Sequence, residues 1–278
     1  MRGLSKSPLY LIIGTLLITA FIYFAPREGS KAKVIVEQKK STSFSFEHLM
    51  NESKKHLTAE TSSAINALEI SLKGERGKSI VIEDSLVNIW DKQNFPSISA
   101  YYAEQIALKE PTEKHWLNAA YRYFDGFKSS TDSIEFKALA DKAILCYSKV
   151  LKLNPNNLDA KTDLGICYTD GTSDPMKGIQ MLREVVAKNP KHENAQMNLG
   201  ILAVKSGQFD KALARFDTVL LINPARTEIY SFIGDVYLRK GNKDKAIENF
   251  EKYKSYLKDT LKISDVDNYI NQIKSAKE

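Results

Sequence analysis

The sequence predicts an all-α solenoid of stacked helical hairpins, preceded by one membrane-spanning helix. Three observations carry the prediction. Residue types recur 34 positions apart in the second half: Gly200 as Gly234, Gly207 as Gly241, Ala212 as Ala246, Phe216 as Phe250 and Pro190 as Pro224. Within that interval the apolar residues follow helical spacing, with Phe209, Ala212, Leu213, Phe216, Val219 and Leu220 at i, i+3, i+4 and i+7. Near the N-terminus, Leu9–Ala25 is an almost unbroken apolar run. A sequence period of this length marks an array in which each unit packs on its neighbours.

Residues 1–27 read as a membrane anchor. As a helix, Leu9–Ala25 would extend roughly 25 Å, enough to cross a hydrocarbon layer with small adjustments. A cleaved signal peptide is the alternative. No A-x-A site precedes Pro26 and no Cys is present for lipid attachment, so the anchor reading is preferred. The Lys/Arg count alone, with Arg27, Lys31, Lys33, Lys39 and Lys40 after the segment, puts the C-terminal side in the cytoplasm. Against that, a short basic N-terminus ahead of a lone span resembles a signal anchor. That resemblance implies an inner-membrane protein with its bulk in the periplasm, and this is the expectation adopted.

Residues 28–78 form a connector. The first part is rich in Lys, Glu, Gln and Ser and reads as extended chain. Phe46–Leu57 and Glu60–Lys73 then read as helices, with Thr58 as a cap and Ala64, Leu68 and Leu72 as the apolar stripe that shields the first unit. Asn51-Glu52-Ser53 fits a glycosylation sequon but falls within a predicted helix and is discounted.

Residues 79–261 hold the array, three clear units and two degraded ones. In each clear unit a first helix ends at a turn, and Asn-Pro closes the second, because proline cannot continue a helix and biases the preceding residue away from helical geometry. In the unit that begins near Asp159, Asp174 is the expected N-cap, Pro175 takes the first helical position, and Gly178 stands where the other units have Ala. One unit upstream, the segment Asp125–Ser133 is read as a loop about ten residues longer than the period allows. The Ser79–Glu113 unit keeps Leu86, Trp90, Ala103 and Pro111 in phase without the glycines. Gly200 and Ala212 are assigned to the point where the two helices of a hairpin cross, with Phe216 filling the space beside it. Residues 262–278 read as a capping helix opened by a capping box at Ser264-Asp265-Val266-Asp267.

These positions resemble the tetratricopeptide repeat, whose motif runs W-x2-L-G-x2-Y, then G, A-x3-F, A and P. Leu199-Gly200, Gly207, Ala212, Phe216 and Pro224 match it, as do Gly234, Tyr237, Gly241, Ala246 and Phe250. The resemblance implies a right-handed superhelix that binds partner proteins in a concave groove and carries no catalytic residues and no cofactor. It also implies which residues line the groove. They are Asp159, Thr162, Ile166, Thr169 and Asp170; Asn194, Met197, Ile201, Val204 and Lys205; Glu228, Ser231, Asp235, Leu238 and Arg239; and, in the degraded unit, Lys114, Leu117, Tyr121, Phe124 and Asp125. Members that clamp a chaperone's carboxylates need Lys at positions held here by Leu117, Thr162, Met197 and Ser231, so that specialisation is not implied. The groove expected is apolar in its middle and charged at its edges, suited to a peptide or helix.

Composition argues against other classes. The net charge of +6 is spread as Lys along many helices, with no Arg cluster pointing to nucleic acid. Cys146 and Cys167 lack metal-ligand spacing and read as small buried side chains, a disulfide between them being the alternative. His48, His56, His115 and His192 are scattered, and His192 reads as an exposed turn residue. Ser-His-Asp order, glycine-rich phosphate loops and H-E-x-x-H are all missing. The overall layout resembles membrane-anchored bacterial tetratricopeptide-repeat proteins, which implies a scaffold that recruits a protein to the bilayer. The second reading is an accessory factor that presents a substrate during assembly of a periplasmic protein or cytochrome.

Overall fold

The computed structural model describes residues 44–74 and 79–275. The anchor assigned to residues 9–25 and the extended part of the connector lie outside the described residues. Among the described residues, no helix is long and apolar enough to cross a membrane. They form thirteen helices: α1 Phe46–Lys54, α2 Ala59–Gly74, α3 Ser79–Lys92, α4 Pro96–Lys109, α5 Glu113–Ser129, α6 Ser133–Leu153, α7 Leu158–Gly171, α8 Pro175–Lys188, α9 Glu193–Lys205, α10 Phe209–Ile222, α11 Ile229–Arg239, α12 Lys243–Tyr256 and α13 Thr260–Ser275. Helices α3 to α12 pair in order as five hairpins. Each second helix packs on the first helix of the next hairpin, and α7 touches both α5 and α9, so first helices lie side by side.

The glycines explain how closely the hairpins close. A Cβ at Gly200 would stand 2.6 Å from the Phe216 ring, and one at Gly234 would stand 2.9 Å from the Phe250 ring. Gly200 therefore makes room for the Phe216 ring, which fills the space beside the crossing. In the α7/α8 hairpin the backbones themselves meet. A Cβ on Gly178 would be 2.2 Å from the Gly165 carbonyl oxygen, which is why alanine does not stand there. Gly207 and Gly241 turn between helices at φ +72° and +77°, the left-handed region where a Cβ is strained.

Four expectations are corrected. The long loop at Asp125–Ser133 does not exist: α5 runs on to Ser129, and α6 starts at Ser133 and is 21 residues long. The extra residues lengthen both helices because Phe127 finds a fully buried site against Phe124 and Phe136, and Asp132 caps α6 through the Ile134 and Glu135 amides. The final helix opens at Thr260, four residues before the capping box, because the Asp259 carboxylate already accepts the Leu261 amide at 2.9 Å. Ile65, not Ala64, centres the α2 stripe; it is fully buried, while Ala64 is exposed. Helix α1 stops at Lys54, and Lys55–Leu57 form turns before Thr58 caps α2 through the Thr61 amide.

One continuous core runs from Ile65 in α2 to Cys167 in α7 and includes Trp90, Tyr123, Phe127 and Tyr147, all without exposed surface. Burial of each such side chain contributes roughly 1.5–3 kcal/mol. Within it, Glu104 accepts the Tyr123 hydroxyl at 2.6 Å and both of its oxygens meet Lys142 at 2.9 Å. The C-terminal hairpins rest on smaller clusters, the last being Ala246, Phe250, Ile270 and Ile273. Both cysteines are free and buried, and burial pushes both thiols well above their ordinary range.

Candidate protein-binding face

The first helices α5, α7, α9 and α11 carry the exposed side chains on the face assigned to the groove. Tyr121 is its exposed aromatic, with 40% of its surface accessible. Its ring is held edge-on by Tyr147, centroids 6.0 Å apart at 77°. Tyr147 donates its hydroxyl to the Asp163 carboxylate at 3.1 Å. Burial pushes Asp163 up to about 6, with Asp159 and Asp125 adding to the rise and the Tyr147 hydrogen bond opposing it. Burial also raises Asp125, with Arg122 pulling it down and Asp91 pushing it up. These carboxylates and Tyr121 are thus one electrostatic neighbourhood, and Asp163 and Asp159 in turn raise the Tyr121 hydroxyl beyond the effect of its burial.

Further along the face the charges are paired. Asp170 accepts Lys128 at 2.9 Å and Lys205 at 3.5 Å, which links three successive hairpins. Asp91 holds Arg122, and Glu193 and Glu228 both hold Arg226. At the far end burial raises Asp235, opposed by Arg239 and by a hydrogen bond from Tyr269 of α13.

The residues assigned to the groove divide. Tyr121, Asn194, Lys205, Asp235 and Arg239 are exposed on the first helices. Thr162 is corrected: it is 1% exposed and donates to the Leu158 carbonyl at 2.8 Å, so it caps local backbone and faces no partner. Ile166 and Met197 are 7% and 8% exposed, and Met197 belongs to the α9–α11 core. Ile201 is half-buried against the same core. Leu238 packs against the terminal cluster of Ala246, Phe250, Ile270 and Ile273, and Ser231 donates to the Glu228 carbonyl at 2.7 Å. The apolar middle expected of the groove is therefore mostly spent on packing between units: Leu117, Phe124, Ile201, Val204 and Leu238 are half-buried, and Tyr121 is the one assigned apolar residue that is exposed. His192 is also corrected: it is 9% exposed, caps α9 by accepting the Ala195 amide on Nδ1, and places Nε2 3.1 Å from Asp159.

Sequence reasoning missed Asp163, which sits one residue beyond the position taken for the groove, and Lys128, which reaches Asp170 from the extra turn of α5. The fixed positions of the motif hide the first. The extra length between Trp116 and Ala143 was the available signal for the second.

The geometry defines an array of tetratricopeptide-type hairpins. Comparison with known proteins agrees: tetratricopeptide-repeat family profiles match residues 173–235 and 227–256. Residues 173–256 thus match tetratricopeptide repeats, and the described residues fold as an all-helical solenoid of that kind. It is 18% identical to a tetratricopeptide repeat protein from Parabacteroides merdae, with a TM-score of 0.57 over 82% of this chain and 86% of that one. It is 17% identical or less to MamA of Desulfovibrio magneticus, represented by a double mutant at 16% identity and a TM-score of 0.50 over 70% of this chain and 99% of that one. Among curated sequences it is 27% identical over 129 residues to tetratricopeptide repeat-containing protein trd-1 of Caenorhabditis elegans, and 25% over 130 residues to BBSome complex member BBS4 of Bos taurus. The alignments cover 45% of this chain in each case, but only 15% and 24% of those relatives.

Proposed function

We propose that the chain is a membrane-tethered scaffold that holds a segment of a partner protein in a concave groove, against the exposed face of its first helices α5, α7, α9 and α11, and that it performs no chemistry. The observation that carries this reading is the set of exposed side chains on that face. Tyr121 on α5, Asp159 on α7, and Asn194 and Lys205 on α9 are all exposed, yet none is needed to close a hairpin core. Exposed residues on a rigid scaffold are where recognition is usually carried. Residues 9–25 supply the tether, and the proposed location is the inner membrane with the array in the periplasm.

A photo-crosslinking residue placed at Asn194 should trap a protein partner in membranes, whereas one at Lys211, exposed on the second helix α10, should not. Trapping at Lys211 with none at Asn194 would sink the assignment of the face. The tether is checked by carbonate extraction, which should leave the chain in the membrane pellet. Its orientation is checked by labelling a Ser275→Cys variant in intact spheroplasts. Cys146 and Cys167 are buried and give little background, so protection of the new thiol until lysis would refute the periplasmic placement.

A further inference from the structure

The face described above is uneven in charge, and the unevenness identifies the chemistry of its occupant. Beside Tyr121 lie Asp125, Asp159 and Asp163, and among the described residues none of the three forms an ion pair with a Lys or Arg. Asp163 meets only the Tyr147 hydroxyl, and Asp159 only the His192 ring. The carboxylates around them are not left this way: Asp91 has Arg122, and Asp170 has two lysines. An open recess lined by Asp91, Asn118, Tyr121, Arg122 and Asp125 adjoins the same aromatic, so the ring can be reached from solvent. The Tyr121 ring is fixed in place by its edge contact with Tyr147, itself fully buried.

Resting on the reading that this face binds a protein segment, we propose that the occupant of its α5–α7 portion is a basic segment that lays a Lys or Arg side chain over Tyr121 and between Asp159 and Asp125. A cation beside an open aromatic face and several carboxylates gains both ring-quadrupole attraction and charge pairing. An acidic segment would meet three like charges, and an apolar one would find little apolar surface, because Ile166 and Met197 are covered by their own neighbours.

The test uses the full chain and fluorescence anisotropy with short labelled peptides of one serine–leucine scaffold that carry arginines, glutamates or neither. The arginine peptide should bind about tenfold or more tightly than the neutral one at low salt, since each exposed pair contributes up to about fivefold. Its advantage should disappear at high salt and in the double variant Asp125→Asn with Asp159→Asn. Both side chains are exposed, and asparagine at 159 keeps an oxygen for the His192 ring, so the variant should stay folded. Tyr121→Phe should keep binding, and Tyr121→Leu should weaken it. If the glutamate or neutral peptide binds best and Lys205→Glu or a bulky change at Asn194 abolishes that binding, the basic-segment proposal is overturned while the face remains a binding face. If arginine-peptide binding ignores the Asp125/Asp159 and Tyr121 variants, or no peptide binds, the proposal fails, and in the latter case the reading beneath it fails too.

Discussion

Asp163→Asn is the perturbation that tests the electrostatics of the face most directly. The carboxyl sits beside Tyr121, accepts the Tyr147 hydroxyl at 3.1 Å, and is pushed by burial from 3.8 to about 6. An acid whose folded value is raised makes the folded state bind the proton more readily than the unfolded chain does. Below about pH 4 both states hold the proton and the site costs nothing. As pH rises from about 4 to about 6, the unfolded chain releases its proton first and stability falls. Above that window the full cost of ionising a buried carboxylate is present. At about 1.36 kcal/mol for each tenfold change in proton affinity, moving from 3.8 to about 6 sets that cost at no more than about 3 kcal/mol. Asparagine retains an oxygen for the Tyr147 hydroxyl and is never charged. At pH 7 the variant should therefore be more stable than the parent by about 1–3 kcal/mol, and the two should be level at pH 4. For a fold of this size that is a rise of roughly 2–10 °C in Tm, measured by circular dichroism melts of both proteins across the window. A Tm difference that is the same at pH 4 and pH 7, or a less stable variant at pH 7, would refute the reasoning.

Two further outcomes follow from packing. Gly178→Ala must push apart the α7 and α8 backbones, because its Cβ would lie 2.2 Å from the Gly165 oxygen, and should cost roughly 1–3 kcal/mol or more, whereas Gly207→Ala meets open space and suffers only its φ of +72°, about 1 kcal/mol; chemical denaturation of both variants measures the order, and a costlier Gly207 change would refute it. Amide hydrogen exchange should be slowest in α4–α7, which share the continuous core, and fastest in α12 and α13, and uniform protection along the array would contradict the division into one large and several small cores.

Much of this architecture can be read from the sequence because its determinants are local. The Gly200/Gly234 and Phe216/Phe250 recurrences mark sites where a ring needs a missing Cβ, and that requirement repeats wherever the hairpin does. Asp174-Pro175 sets a helix start by itself. The readings that failed depend on contacts between units. Whether residues 125–133 form a loop or two longer helices is decided by the burial of Phe127 between Phe124 and Phe136, which no single helix encodes. Thr162, Ile166 and Met197 occupy motif positions that usually face a ligand, but this array packs closely enough to cover them. His192 is buried as the cap of α9, and its Nε2 meets Asp159 of the preceding hairpin. The candidate face was half readable: its helices and its edge residue Lys205 follow from the period, whereas the uncompensated carboxylates appear only when α5 and α7 are set side by side.

The position of that carboxylate group within the array bears on how it could work. Recognition by a few charges needs them held still, because an exposed pair is weak and a mobile one weaker. The α5 and α7 helices are the part of the chain best placed to do this. Each has neighbours on both sides, and together they contribute Trp116, Tyr123, Phe127, Leu164 and Cys167 to the one core that spans several units. The extra turns of α5 and α6 enlarge that core through Phe127 and carry Lys128 to Asp170, tying α5 to α7 across the face. In a linear array, stability is the sum of unit and neighbour terms, so interior units are more ordered than terminal ones. Tyr121, Asp159 and Asp163 thus stand on the stretch with the largest shared core, where packing can oppose the repulsion of unpaired like charges. The same three residues on α11 would face the small terminal cluster, which has less packing with which to oppose their repulsion.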